Sequence, residues 1–599
     1  MPLDFSAQSG RLNALRDALR IAGVDAFLVP RGDEHRGEYV PPSAERLQWL
    51  TGFSGSAGQA VVLTEKAALF VDGRYSLQAA QETAETLYEI LQIPEHSAER
   101  YLESALGEGQ VLGFDPWLHS LTERRRLEAL AARCGARLLA LADNPLDRVW
   151  VDRPSPPCGT AQPHPLEFAG EDSLSKRRRL AVDLVRRGVA AAVLSLPDSI
   201  AWLLNVRGED VARTPFVLSF AILKQSGDVD WFVQEEKLSP ALREALDGGV
   251  EVRPPETLGA VLDGLGGSEV LLEPASIPAW IAARLESAGA ALVEGEDPCQ
   301  APKAAKNAVE QQGARNAHQR DGAALTRFLA WFHRESAAGA VSELACSDHL
   351  ESLRRQNNHI RDLSFDTIAG SGPNGAIVHY RVTPESDRTM RAGELMVLDS
   401  GGQYLDGTTD VTRTLVIGTP GAEERERFTR VLQGHIALAT ARFPPGTSGS
   451  QLDVLARRPL WAAGLDYDHG TGHGVGSFLS VHEGPQRISK LPNRVALEPG
   501  MIVSNEPGYY KTGAYGIRIE NLVMVVESPK QAGEERPMLA FETLTLAPLE
   551  RALIVISLLS AEEIAWVDAY HARVLAALGP ALEGEDRAYL EAACRPLDT

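Results

Sequence analysis

Thiols are scarce in this chain. Five cysteines, Cys134, Cys158, Cys299, Cys346 and Cys594, are spread over 599 residues with no CxxC pair. An odd number at such spacing argues against a disulfide framework and against a thiolate metal site, and it predicts a reducing compartment. Long apolar runs are also missing. Stretches such as Ala552–Ile556 fall far short of the roughly 20 residues needed to cross a bilayer. The first residues, MPLDFSAQSGRLNALRDALR, lack the apolar core of a signal peptide and read as an amphipathic helix. Basic residues are outnumbered, 59 Lys and Arg against 81 Asp and Glu, for a formal net charge of −22. Such a surface repels phosphate backbones. The basic run Lys176–Arg179 points the other way, but at the start of a helix it reads as a solvated face. A soluble cytoplasmic protein with no membrane and no nucleic-acid partner is expected.

The chain is long enough for about three or four domains. Its 44% hydrophobic and 23% charged residues are the balance of a globular protein. A helix carrying Leu12, Leu15 and Leu19 on one face precedes an apolar strand at Ala26–Pro30, and strand and helix signals alternate to about residue 150. Residues 151–170 hold five prolines and read as a crossing between domains. The next segment opens in the same way, with a helix over 176–188 and an apolar run after it. Gly23-Val24-Asp25-Ala26 is matched by Gly188-Val189-Ala190-Ala191, which suggests duplication of one α/β domain. From about residue 303 a long helix bears Ala317, Leu325, Phe328, Leu329 and Phe332 on one face. Glycine-rich loops then alternate with strand-like runs at 394–398, 412–417 and 518–526, an α+β texture.

The chemistry lies in this last segment. In MVLDSGGQYLDGTTDVTRT, Asp399 ends one strand and Asp410 starts another, so a hairpin would carry both carboxylates to one place. HGTGHGVG follows with His469 and His473, then Glu506 in SNEPGYY and Glu520 in GIRIENL. Singly each has a bland reading as a turn, cap or surface ion pair. Together they form an oxygen-rich set with one nitrogen donor, suited to two adjacent divalent cations. Without a cation such a cluster would repel itself. His379, His469 and His482 stand out among the other histidines, because the first follows a Gly/Pro/Asn loop and the others sit in HGTGHG and VHEGP.

The order Asp, ten residues, Asp, His, Glu, Glu within these motifs resembles the metallopeptidase family of the pita-bread fold. That family includes methionine aminopeptidase, prolidase and Xaa-Pro aminopeptidase (aminopeptidase P). SFDTIAGSGPNGAIVHY, GFSGSAG, DGRY and DSIAWLLNVRG resemble the long three-domain cytosolic form of aminopeptidase P. The resemblance implies two related α/β N-terminal domains, over 1–160 and 161–302, followed by a pita-bread catalytic domain over 303–599. It implies that Asp399, Asp410, His473, Glu506 and Glu520 hold two metals, usually manganese, with Asp410 and Glu520 bridging. A hydroxide between the metals would attack the first peptide bond of substrates with proline in second place, and Glu506 would move the proton. His379 and His482 would contact the scissile region, His469 would shape the proline pocket, and Arg518, on the substrate side, would orient a bridging carboxylate. A homodimer is implied by family likeness. Two other readings stay open: an Xaa-Pro dipeptidase (prolidase) with the same metals, and a non-catalytic peptide-binding module on the same fold.

Overall fold

The computed structural model describes residues 5–597, apart from residues 94, 338 and 340 and the side chains of 77 and 337. The chain forms two units. One contains residues up to Pro165 together with Glu171–Cys299, and the other contains Leu166–Gly170 and everything from Gln300. No described helix is long and apolar enough to cross a membrane. No disulfide links the five cysteines.

The first unit is built on two six-stranded sheets with the same order and pattern. In the first, the strands run Glu89–Ile93, Ala67–Asp72, Gly58–Leu63, Ala26–Pro30, Val111–Phe114 and Arg137–Ala140 from edge to edge. In the second they run Val250–Arg253, Val229–Phe232, Phe220–Lys224, Ala191–Leu194, Glu269–Leu272 and Ala291–Glu294. In both, the successive pairings are parallel, antiparallel, antiparallel, parallel and parallel. The central strands are short apolar runs buried on both faces, as a helix-covered sheet demands. Leu12, Leu15 and Leu19 of the helix Ser6–Ile21 pack into the first core.

The two halves are joined by a reciprocal exchange. Leu121 N–H donates to the Ile277 carbonyl and Thr122 N–H to that of Pro274, while Ala279 and Trp280 N–H donate back to the carbonyls of His119 and Pro116. Trp117 stacks on Trp280 with ring centroids 4.4 Å apart, and Leu121 of the first half is buried in the core of the second.

The second unit carries a three-stranded antiparallel sheet of Ile368–Ser371, Leu395–Ser400 and Val411–Val416. It also carries a five-stranded antiparallel sheet of Glu483–Ile488, Gly472–Gly474, Ile502–Asn505, Asn521–Glu527 and Leu539–Thr543. The helices Ala308–Ala337, Ala422–Ala439, Gly449–Trp461 and Ala561–Leu578 pack around them.

Two expectations need correction. The run 518–526 is not one strand. It splits into Tyr515–Arg518 and Asn521–Glu527, which belong to different sheets, because Glu520 N–H turns to the Thr412 carbonyl at 3.1 Å. The basic run Lys176–Arg179 is not a solvated face. Lys176 and Arg177 are buried, since the apolar face of the helix Ser173–Arg187 includes them. Lys176 Nζ donates to the Trp202 carbonyl and to Asn205 Oδ1, at 2.9 and 2.7 Å. The Arg177 guanidinium donates to the Gly227 carbonyl at 2.8 Å and pairs with Asp247.

The contrast along this run is testable. Arg177→Ala orphans the Gly227 carbonyl and should lower unfolding stability by about 1–3 kcal/mol. Arg178→Ala, at an exposed position, should stay within about 0.5 kcal/mol of wild type. Chemical denaturation of the two variants decides this, and equal midpoints would show that the guanidinium bonds contribute nothing.

Candidate metal centre

Strand pairing assembles the site. Asp399 lies on Leu395–Ser400, paired opposite Thr412, and Asp410 immediately precedes the neighbouring strand Val411–Val416. In the five-stranded sheet Asn505 pairs with Asn521, so Glu506 and Glu520 are the next residues outward from that last pair. His473 lies on Gly472–Gly474, alongside Ile502–Asn505. Three overlapping groups of side chains offer ligand atoms within 4.8 Å of one another: Asp399–Asp410–Glu520, His473–Glu506–Glu520 and Asp410–His473–His482. All five residues expected as ligands are therefore brought together, and His482 stands with them.

The donor geometry is oriented from behind. The His473 Nδ1–H donates to the Gly474 carbonyl at 2.9 Å. A carbonyl only accepts, so Nδ1 carries a proton and Nε2, 3.5 Å from Asp410 Oδ2 and 3.6 Å from Glu506 Oε1, is the nitrogen that can face a cation once it has shed its own proton. Thr412 Oγ1 donates to Glu520 Oε2 at 2.9 Å, and Ser504 Oγ to Glu506 Oε1 at 3.2 Å. Arg518 Nη2 pairs with Asp399 Oδ2 at 2.7 Å, and its Nε donates to Thr412 Oγ1 at 3.1 Å. Arg518 thus holds Asp399 directly and reaches Glu520 only through Thr412. The bridging carboxylate that Arg518 is expected to orient is therefore reached only indirectly, because the chain changes sheet between Arg518 and Glu520.

One oxygen of each buried carboxylate has no hydrogen-bond partner: Asp399 Oδ1, Asp410 Oδ1 and Glu520 Oε1. Burial pushes the Asp399 carboxyl up to about 7; the Arg518 guanidinium opposes this and the Asp410 carboxylate adds to it. Burial, followed by Asp410, Asp399 and Glu506, raises Glu520 well above the ordinary carboxylate range. For His473 burial favours the neutral ring, but Asp410 and Glu506 outweigh it and hold the imidazolium up at about 9. Orphaned buried oxygens, mutually raised acids and one oriented imidazole fit hard divalent cations.

The flanking histidines divide. The His482 ring packs edge-on to His473 with centroids 4.3 Å apart. His469 Nδ1–H donates to the Gly470 carbonyl at 2.7 Å and its Nε2 accepts from Tyr510 Oη–H at 3.0 Å. His469 Nδ1 is also 4.0 Å from Glu506 Oε2. His379 is half-buried after the turn Gly372–Ala376, and the carbonyl of its neighbour Val378 accepts from Arg518 Nη1 at 3.2 Å.

Several groups that build this site carry no local motif. Buried Glu343 accepts from Ser371 N–H, Ser371 Oγ, Asn374 Nδ2 and Tyr380 Oη, and so fixes the loop that carries His379. Buried Glu483 pairs with Lys303 at 2.7 Å and with Lys306, anchoring the turn beside His482. Arg413 alone had a visible signal, its place three residues after Asp410.

Models of known families match along the chain. The metallopeptidase family M24 model covers residues 312–527 and the model for its C-terminal region covers 537–597. Creatinase/prolidase N-terminal domain models cover 11–148 and 152–310. Aminopeptidase P2 of Arabidopsis thaliana is 40% identical, over 94% of this chain and 84% of its own. A probable Xaa-Pro aminopeptidase P of Aspergillus niger is 39% identical over 98% and 99%. The chain belongs to the Xaa-Pro aminopeptidase P family of M24 metallopeptidases. Among solved structures, the X-prolyl aminopeptidase of Caenorhabditis elegans, described as a cytosolic enzyme with a di-nuclear active site, superposes with a TM-score of 0.94. The two are 33% identical over 99% of this chain and 100% of that one. The dipeptidase PepE of Mycobacterium ulcerans gives 0.51 at 26% identity, over 63% of this chain and 96% of its own. Family membership fixes the fold class as creatinase-type N-terminal domains with a pita-bread domain.

The raised acids predict linked protons. Below about 7 Asp399 holds a proton, and below about 9 His473 does, so both must shed protons to become ligands. Mn2+ affinity of metal-stripped protein should therefore rise with pH up to about 9. Calorimetry at pH 7 in buffers of differing ionisation enthalpy should register proton release. No release, with pH-independent affinity, would mean that cations do not bind at these groups.

Proposed function

We propose that the protein is a metal-dependent aminopeptidase that releases the N-terminal residue from peptides with proline in second position. The observation that carries this reading is a full-length match to Xaa-Pro aminopeptidases combined with three buried carboxylate oxygens that have no hydrogen-bond donor. Asp399, Asp410, His473, Glu506 and Glu520 would hold two divalent cations, with Mn2+ the expected species. Glu520, Asp410 and His473 each belong to two of the three overlapping groups, and of these only the two carboxylates have a second oxygen with which to bridge. Two bound cations supply Lewis acidity and a water nucleophile active near neutral pH.

The chain's own residues supply position and protons. Glu506 is less buried than Asp399, Asp410 or Glu520 and lies beside His469. We assign to it the uptake of the proton of the attacking water and its return to the leaving nitrogen. His482, packed on His473, donates to the peptide oxygen as negative charge develops there. His379 lies between Val378, whose carbonyl Arg518 binds, and Tyr380, whose hydroxyl donates to Glu343. Tyr510, with its ring centroid 5.4 Å from that of His469, is half-buried and offers flat apolar surface, while buried Tyr467, 4.8 Å from His469 and covered by the Arg457 guanidinium, backs the histidine. Proline has no N–H to recognise, so a pocket for its ring must work by shape, which such a wall provides.

Prolidase remains the alternative chemistry on this fold. The dipeptidase match covers only 63% of the chain, whereas the X-prolyl aminopeptidase match covers 99%. A complete ligand set speaks against a non-catalytic module. The test is chromatographic detection of the freed residue from Arg-Pro-Pro, an Xaa-Pro dipeptide and an Xaa-Ala control. Release from the tripeptide with little action on alanine is expected, and cleavage of the dipeptide alone would make the protein a prolidase. In the same assay His482→Ala should lower kcat by about 10²–10³ with Mn2+ affinity retained; normal turnover would reduce His482 to packing.

The same reading places the protein in the cytoplasm as a homodimer. Val454 and Trp461 support the dimer: they are seven residues apart on the helix Gly449–Trp461 and are 43% and 48% exposed. Light scattering should give a dimer mass for wild type and a monomer mass for V454D/W461D. A monomeric wild-type protein would refute this.

A further inference from the structure

His435 lies outside every motif so far used, yet it is fully buried behind the metal centre on the helix Ala422–Ala439. Its Nδ1 is 3.1 Å from the Asn505 carbonyl oxygen, and its Nε2 is 3.1 Å from Asn521 Nδ2. Asn505 Nδ2 donates back to the His435 carbonyl at 2.9 Å. A carbonyl only accepts, so the proton sits on Nδ1. Burial, helped by Arg413, holds this imidazole down at about 3, so the ring is neutral and Nε2 accepts from the Asn521 amide. Asn521 then presents Oδ1 to Arg413 Nη2 at 2.8 Å. Arg413 Nη1 donates onward to the carbonyls of Glu520 and Thr412, at 2.7 and 2.8 Å. One tautomer sets the direction of every bond in this chain.

The two asparagines are the last paired residues of their strands, and Glu506 and Glu520 are the next residues out. Successive side chains of an extended pair face opposite ways. We infer that His435 is a positioning residue: from the sheet face opposite the metal centre, it fixes the spacing and orientation of Glu506 and Glu520, so that cation affinity depends on a side chain that touches neither cation. The inference rests on Glu506 and Glu520 being ligands. A side chain that only filled this volume would take one donor from the Asn505 carbonyl and the acceptor from Asn521 Nδ2 at the base of both ligands, and buried polar groups that lose partners find others by moving.

The test is calorimetric titration of Mn2+ into metal-stripped full-length protein, with melting followed with and without Mn2+. His435→Asn keeps a donor for the Asn505 carbonyl but loses the acceptor for Asn521. His435→Gln reaches Asn521 but not Asn505, and His435→Leu keeps neither. Outer-sphere partners of metal ligands are typically worth about 10–100-fold in affinity. His435→Leu should lose that much, the two polar variants less, and the rise in Tm on adding Mn2+ should shrink in step. Leu432→Ala, in the same helix and core, should lower the Tm while keeping wild-type affinity, which separates positioning from packing. Wild-type affinity in folded His435→Asn and His435→Gln overturns the inference even if His435→Leu fails to fold. Glu520→Ala in the same titration tells the two layers apart. Undiminished affinity there removes the ligand assignment itself, whereas a loss there with normal His435 variants overturns only the clamp.

Discussion

Negative charge is gathered in the second unit where water is largely excluded. Asp399, Asp410 and Glu520 are buried together, with Glu506 at their edge, and the cationic groups that face them directly are Arg518 against Asp399 and the His473 ring against Asp410. Like charges at this spacing repel strongly in a medium of low dielectric. The chain leaves three oxygens without donors instead of quenching them. Any slack in the backbone would let the carboxylates drift apart or turn to other partners. The surrounding structure can be understood as what prevents that slack.

Arginine does most of this holding. Arg413, Arg457 and Arg518 are buried, and each sets at least one arm of its planar fork on a backbone carbonyl. Arg413 binds those of Thr412, Glu520, Ala547 and Pro548. Arg457 holds the carbonyls of Tyr467 and His469 while its Nε pairs with Asp453, which fixes the loop that presents His469. Arg518 takes the Val378 carbonyl beside His379. A rigid fork with five donors suits this task, and a lysine on its flexible stem would hold one point at a time. The buried positive charge also partly offsets the acids it frames.

The five residues expected as ligands were legible as a set because each lies in or next to a short strand, where a carboxylate or imidazole has little structural work to do. The fold class was legible for a similar reason, since short apolar runs alternate with amphipathic helices and end in an antiparallel, glycine-rich region. The break at Glu520 was not legible, because the two strands it separates are both apolar and only the bond from its N–H to Thr412 divides them. The burial of Lys176 and Arg177 was hidden for a different reason: residue type says charged, while the partners are carbonyls far along the chain. His435 and Glu343 looked like any buried helix residues, because their partners lie 70 to 86 and 28 to 37 residues away.

The reach of Arg413 has a consequence for the order in which the protein is made. Its guanidinium closes on the carbonyls of Ala547 and Pro548 and on the hydroxyl of Tyr570. A nascent chain that ends before residue 547 already contains every expected metal ligand, yet the arginine behind two of them lacks those three acceptors. Ribosomal synthesis proceeds from the N-terminus and domains form as units, so the first unit can complete itself early while the second waits for its final segment. A stalled or truncated chain would carry the same acids without the late contacts of the arginine that frames them.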